Sequence, residues 1–322
     1  MELDTEKYNK NMFIKTFENI NKNDVSIAGG KGASLGEMTR AGLAVPPGFV
    51  VLAGAFDRFL EETDLDTEIE AILKKVNHKD INSVDKASAE IREMMAEKKM
   101  PRDLQNEILG EFRKLKAKHV AVRSSATAED SKVASWAGEL ETFLNVTEKQ
   151  IIKYVIQCWS SLFTPRAIFY RFEKKLHKKP VSVAVVVQEM VQSEVSGICF
   201  TVHPVTKDRN QMIIEAGFGL GEAIVSGQVT PDTYIVHKDN FSILDINVSE
   251  QSMAIVRSPH GNIHKKLSAA AGGKQKLNGK QIVELAKLCK KIEQHYKHPQ
   301  DIEWAWAKGK FYITQSRPIT TL

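Results

Sequence analysis

Apolar positions recur with a helical period over residues 55–118, where Pro101 suits the first turn of the last helix. Ahead of that stretch, residues 12–20 predict a strand. Gly29-Gly30-Lys31-Gly32 then opens a short helix with Leu35 and Met38 on one face. Val45-Pro46-Pro47-Gly48 ends this helix before a strand at residues 49–52. Further on, Thr147 and Gln150 form a capping box ahead of an apolar helix over 151–163. From Val181 the period drops to two. Strands are expected at 183–189, 197–202, 212–215, 233–237, 241–247 and 254–257, one helix at 280–296, and a closing hairpin at 302–307 and 311–316. The change of texture near residue 190 divides an N-terminal α/β lobe, 1–190, from a β-rich lobe, 191–322, and the fold class is α+β. No internal repeat or low-complexity segment interrupts the pattern.

Composition narrows the function classes. With 42% hydrophobic and 26% charged residues in 322, the chain reads as an ordinary globular protein. The net charge of +5 is spread over solvated faces such as Lys174-Lys175 and Lys290-Lys291. No basic stripe interleaved with aromatics is present, which argues against nucleic acid as a partner. No apolar run has the length of a membrane span, and the first ten residues are polar, so neither a membrane nor a secretory signal is expected. Cys158, Cys199 and Cys289 lie scattered in apolar surroundings, as buried thiols of a cytoplasmic protein do.

Candidate chemistry gathers in five places. VAVRSSATAEDSKVASWAGELETFLNV (120–146) places small hydrogen-bonding residues between two apolar segments. Backbone N–H groups in such a turn can form an anion nest, and Arg123, where the strand at 120–122 gives way to the loop, suits a phosphate; a surface loop with an arginine ion pair has the same composition. The GGKG turn lets backbone approach a ligand, with Lys31 as a mobile charge, although it lacks the spacing of a P-loop. IIEAGFGLGEAIVSGQ (213–228) carries Glu215 at a strand end before a glycine-rich turn into a helix. The run VAVVVQEM (183–190) could offer backbone groups to an adenine edge, or be a core strand meeting a polar turn. In DIEWAWAKGKFYITQSRP, a two-residue turn at Lys308-Gly309 would pair Glu303 with Thr314, whereas a three-residue loop pairs Glu303 with Gln315 and Asp301 with Arg317. Only the second gathers carboxylates, an amide and a guanidinium on one surface. Such oxygen donors suit Mg²⁺; a solvated polar face with an ion pair is the plainer alternative.

In order, GGKGASLGEM, VPPGF, VRSSATAED, AGELETFLNV, VVVQEMV, SGICFT, IIEAGFGLGEAIVSG and DIEWAW…FYITQSRP resemble the nucleotide-binding domain of the phosphoenolpyruvate synthase (pyruvate, water dikinase) and pyruvate phosphate dikinase family, over about residues 17–320. The resemblance implies a two-lobed ATP-grasp-type fold with MgATP between the lobes. Carried over by motif, Lys31 and Arg123 bind phosphates, and Gly138 and Thr142 belong to the phosphate-cradling loop. Gln188 with Glu189–Val191 meets adenine, Glu303 and Gln315 hold Mg²⁺, and Arg317 stabilises the transferring phosphoryl, so that Lys31, Arg123 and Arg317 are the catalytic cations. Glu215 falls near the ribose or behind the site.

Related loops often read Leu-Pro-Asp-Ala-Ser-Phe-Ala-Gly-Gln where this chain has Ser131–Glu139, so Lys132 and Glu139 change the local charge. The family also joins this module to a phosphohistidine carrier domain and a pyruvate/phosphoenolpyruvate barrel. None of the nine histidines has the carrier context, and His203 reads as local structure. The expectation is therefore a phosphotransferase module that passes the β-phosphoryl of ATP to a histidine on another domain or chain. Rifamycin-type antibiotic phosphotransferases, which share the domain, and a non-catalytic ATP-binding orphan are the alternatives.

Overall fold

The computed structural model describes residues 13–127, 141–173, 181–258 and 261–320. The chain forms two compact units. One comprises the residues up to Glu37 with Pro47–Glu189, the other Met38–Pro46 with Met190 onward.

Unit 1 contains β1 (Ile14–Thr16), most of α1 (Val25–Arg40), β2 (Gly48–Val51), α2 (Ala53–Glu62), α3 (Leu65–Leu73), α4 (Ile81–Glu97), α5 (Arg102–Leu115), β3 (Val120–Ala126), β4 (Thr142–Val146), α6 (Ile151–Ser160), α7 (Pro165–Glu173) and β5 (Val183–Glu189). Its antiparallel sheet runs β1-β2-β5-β3-β4. α5 and α6 pack on one face of it, and α4 packs on α6 and α7, through regularly spaced apolar residues: Leu104, Ile108 and Phe112 of α5, Val84, Ala87, Ile91 and Met95 of α4, and Ile151, Val155 and Trp159 of α6 are all buried. Each such Leu, Ile or Phe contributes about 1.5–3 kcal/mol on leaving water. Pro101 precedes α5 directly, as its fixed φ and missing N–H favour.

Three expectations change here. The first strand is only Ile14–Thr16, because Phe17–Asn19 turns as a 3-10 helix that buries Phe17. The helix around GGKG starts earlier, at Val25, and breaks at Gly29, whose φ of 69° and ψ of 172° are open only to glycine. Half of the expected capping box forms: the Gln150 side chain accepts from the Thr147 N–H (3.2 Å) and hydroxyl (2.8 Å).

Unit 2 contains β6 (Val195–Phe200), β7 (Gln211–Phe218), α8 (Glu222–Val225), β8 (Asp232–His237), β9 (Ile243–Asn247), β10 (Met253–Ser258), β11 (Gly261–Lys266), α9 (Ala269–Gly272), α10 (Gly279–Tyr296), β12 (Gln300–Ala307) and β13 (Lys310–Pro318). The main sheet is antiparallel in the order β13-β12-β6-β7-β8-β9, and β10 and β11 form a separate ribbon. α10 starts at a complete capping box, Asn278 with Gln281, and covers one face of the main sheet with Ile282, Leu285, Cys289 and Ile292. The final turn of α1 also belongs to unit 2. It ends in a Schellman motif at Gly42 (φ 72°), with Gly42 N–H on Thr39 C=O and Leu43 N–H on Met38 C=O, and the following segment presents the Ala44 carbonyl to the Ile313 N–H of β13 (2.9 Å).

Candidate functional site

Residues directly opposite on antiparallel neighbours project to the same face, so register decides which side chains meet. In unit 1, Val120, Val122 and Ala126 of β3 and Val183, Val185 and Val187 of β5 enter the helical core. The alternate residues line the other face. There Arg123 lies between Val186 of β5 and Thr142 of β4, Ala121 lies opposite Gln188, and Ser125 opposite Ala184. Arg123 and Thr142 are thus roughly 5 Å apart at Cβ, with Gln188 on the diagonal at about 7–8 Å. β3 does not give way to a loop at Arg123. It runs to Ala126 because β5 pairs with every residue from Val120 to Ala126, and the polar Arg123, Ser124 and Ser125 are buried within it.

α1 lies on this same face. The Ser125 hydroxyl, fully buried, donates to the Ala28 carbonyl (3.0 Å) and accepts from the Gly32 N–H (3.2 Å). A Cβ on Gly29 would collide with Ser125. Lys31 is therefore held in a turn pinned to β3. Its ammonium also lies near enough to Cys158 to oppose the rise of that thiol, which burial and then Glu141 push well above its ordinary value.

Gly138, with Lys132 and Glu139, lies outside the described residues. The stems of that segment are firmly fixed. On one side the Thr127 N–H and hydroxyl both donate to the Ser182 carbonyl. On the other the Glu141 carbonyl accepts the Ser124 N–H (3.1 Å) and hydroxyl (2.9 Å), while its carboxylate takes Arg92 at 2.6 Å. At the end of β5, Gln188 is buried and the Glu189 N–H donates to the Pro47 carbonyl (2.8 Å), so this N–H is already engaged. The Val191 carbonyl accepts from the Ser193 N–H (3.0 Å).

In unit 2 the closing hairpin uses a two-residue turn. Lys308 (φ 51°) and Gly309 (φ 76°) both adopt positive φ, the type I′ geometry that matches strand twist. Yet Glu303 still faces Gln315 and Asp301 faces Arg317, because a bulge at Thr314 shifts the register by one between Trp304–Ile313 and Glu303–Gln315. The odd residue lies in the strand, not in the loop.

Cross-strand pairing extends this row. Glu303 faces Ile198 of β6, Ile198 faces Glu215 of β7, and Glu215 faces Thr233 of β8. Gln315, Glu303 and Glu215 thus share one sheet face, with Asp301 and Arg317 in the next row. Arg317 donates from Nε (2.9 Å) and Nη2 (2.8 Å) to Asp301 Oδ2. Burial raises the Asp301 pKa, Arg317 opposes the rise and Glu303 adds to it; burial, then Asp301, raises that of Glu215. Gly197 permits the close approach of β6 and β7, since a Cβ there would strike the Glu215 carbonyl oxygen.

Among the described residues no three His, Cys, Asp or Glu side chains converge as a metal site. A cation here would rest on the paired oxygen donors Glu303 and Gln315, about 5 Å apart at Cβ, with the remaining positions left to water and ligand oxygens. That donor set fits Mg²⁺, which is seldom caged by protein alone. His203 takes no part: its Nδ1 accepts the backbone N–H groups of Val205 and Thr206.

Residues 25–322 match the family described as "Pyruvate phosphate dikinase, AMP/ATP-binding domain". The chain belongs to this family. It is 46% identical to a "Probable phosphoenolpyruvate synthase" of Archaeoglobus fulgidus, over 94% of this chain and 41% of that protein. It is 41% identical to the phosphoenolpyruvate synthase of Pyrococcus furiosus, over 96% of this chain and 44% of that one. It is 38% identical to the rifampicin phosphotransferase of Bacillus subtilis, over 94% and 35%. The chain thus spans less than half the length of these relatives. As a nucleotide-binding domain of the pyruvate phosphate dikinase family, it carries two polar clusters, one in each unit. No helix among the described residues is long and apolar enough to cross a membrane.

Ser125 adds a functional contact that no motif marks. A serine in an apolar strand gives no sign that its hydroxyl serves a helix 93 residues earlier.

Proposed function

We propose that the chain binds MgATP in an ATP-grasp-type arrangement and acts as the nucleotide module of a phosphotransferase. The β-phosphoryl of ATP would pass to a histidine on a carrier domain, in cis or in trans, with a pyruvate/phosphoenolpyruvate barrel as onward partner and the cytoplasm as the setting. The observation that carries this reading is the Glu303–Gln315 pair, brought together by the bulge and flanked by the oriented Arg317.

In this reading Lys31, Arg123, Thr142 and the segment containing Gly138 bind the triphosphate, and Gln188, Glu189 and Val191 lie along the adenine. Glu303 and Gln315 would hold Mg²⁺, which when bound supplies positive charge against the phosphate oxygens. Asp301 fixes the plane of the Arg317 guanidinium, so that the fork is already oriented as charge develops on the transferring group. Glu215, raised in pKa and in the same row as Glu303, would meet a ribose hydroxyl or support the cation from behind. Little covalent work falls to the protein in such a step; positioning and charge neutralisation supply most of it.

Calorimetry of MgATP binding to wild type, Arg123→Ala and Glu303→Ala tests the first half of the proposal. Transfer of label from β-phosphate-labelled ATP to an added carrier domain tests the second. Undiminished binding in both variants removes the site, and an unlabelled carrier removes the transfer. The similarity to rifampicin phosphotransferase supports a second reading, in which the same module serves an antibiotic acceptor, because the acceptor is selected outside these residues.

A further inference from the structure

In an unbroken α-helix the Gly32 N–H would donate to the carbonyl four residues back, that of Ala28. The φ of 69° at Gly29 breaks that bond. Ala28 is fully buried and Gly32 is buried too, so both groups would be costly to leave unpaired. The Ser125 hydroxyl stands between them, giving its proton to the Ala28 carbonyl at 3.0 Å and taking the Gly32 N–H at 3.2 Å. It replaces one helical hydrogen bond with two. The displaced pair brackets Lys31, and the missing Cβ of Gly29 provides the space that the serine fills.

We infer that Ser125 is a positioning residue for Lys31: as a relay in the broken helix, it holds the Gly29–Gly32 turn in the one conformation from which the lysine meets phosphate. The inference rests on the reading of Lys31 as a phosphate ligand. An apolar residue at position 125 would leave the turn without its fastening, free to refold into straight helix and carry the lysine with it.

The test uses the full chain with Ser125→Ala, the near-isosteric Ser125→Cys, Lys31→Ala and the double variant Lys31→Ala/Ser125→Ala. Affinities for MgATP and adenosine are compared, and amide hydrogen exchange is followed at Gly32. Ser125→Ala should weaken MgATP about tenfold, the scale of one lost hydrogen bond. It should leave adenosine unchanged and accelerate exchange at Gly32. The MgATP loss should vanish in the Lys31→Ala background, and Ser125→Cys, which keeps a weak donor, should fall between the two and provide a folded comparison if alanine destabilises the sheet. Equal MgATP losses with and without Lys31, or unaltered Gly32 exchange, would overturn the inference. A harmless Lys31→Ala would remove the phosphate role of Lys31 and this role of Ser125 together. A damaging Lys31→Ala beside a harmless Ser125→Ala would remove only the latter.

Discussion

Lys276 and Asp232 form an ion pair at 2.8 Å with both side chains wholly excluded from solvent. The carboxylate also accepts the Tyr234 hydroxyl (2.7 Å) and the N–H groups of Lys276 (2.9 Å) and Ser249 (3.0 Å). The ammonium donates to the Ser249 and Gly272 carbonyls and lies 5.2 Å from the Phe218 ring centroid. Lys276→Met keeps the aliphatic stem but strands a buried charge and releases two carbonyls. One-sided loss of a buried pair costs about 3–5 kcal/mol, a large share of a domain's ~5–15 kcal/mol. Asp232→Asn with Lys276→Met removes both charges, so the double variant should cost well below the sum of the singles. Urea unfolding at neutral pH of the four proteins in this cycle measures both quantities. A loss below about 1 kcal/mol for Lys276→Met, or strict additivity in the double, would refute the claim that this pair fastens the 249–277 segment to β8.

Glu303→Gln should weaken Mg²⁺-dependent ATP binding by at least the ~10–100-fold typical of losing a residue that merely supports a metal ligand, with a smaller effect on metal-free ATP; titration calorimetry with and without Mg²⁺ separates the two. Gly197→Ala forces β6 away from the Glu215 carbonyl, so it should lower stability by about 1–3 kcal/mol or more and weaken MgATP in parallel, checked by denaturation and binding on one preparation. Because burial raises the pKa values of Glu215 and Asp301, the folded state binds their protons more tightly than the unfolded chain does. Stability of the nucleotide-free protein should therefore fall as pH climbs from the ordinary carboxylate range through the raised values. Glu215→Gln should flatten that fall and raise the melting temperature at neutral pH; an unchanged slope across a pH series of melting curves counts against it.

How far the sequence speaks depends on whether a residue's partner lies on its own element. The helices of unit 1 were legible because Leu104, Ile108 and Phe112 repeat every four residues and need no knowledge of what they pack on. Alternation leaves the partner of Glu303 open between Thr314 and Gln315, and with the two-residue turn that forms it points to Thr314; the bulge that brings Gln315 opposite instead has no mark in the sequence. Thr314 looks like any strand residue, and only the positive φ at Lys308, with the pairing of Ala307 to Lys310, moves the odd residue from loop to strand. The polarity of Arg123-Ser124-Ser125 suggests an exposed loop, whereas β5 on one side and Glu141 on the other keep those residues in the sheet. The Gly-Asn-Ile-His-Lys-Lys strand β11 was missed for a related reason. It is exposed throughout, so it shows no buried alternation, and only its partner β10 makes it a strand.

The Ala44 carbonyl on the Ile313 N–H has a bearing on how this protein can be cut. A fragment of residues 190–322 would retain β13 but lack its borrowed border, leaving the acid- and amide-bearing ribbon as a raw selvage inviting strangers. Such a fragment should clump with rising concentration, and a short synthetic peptide of residues 38–46 should keep it dispersed.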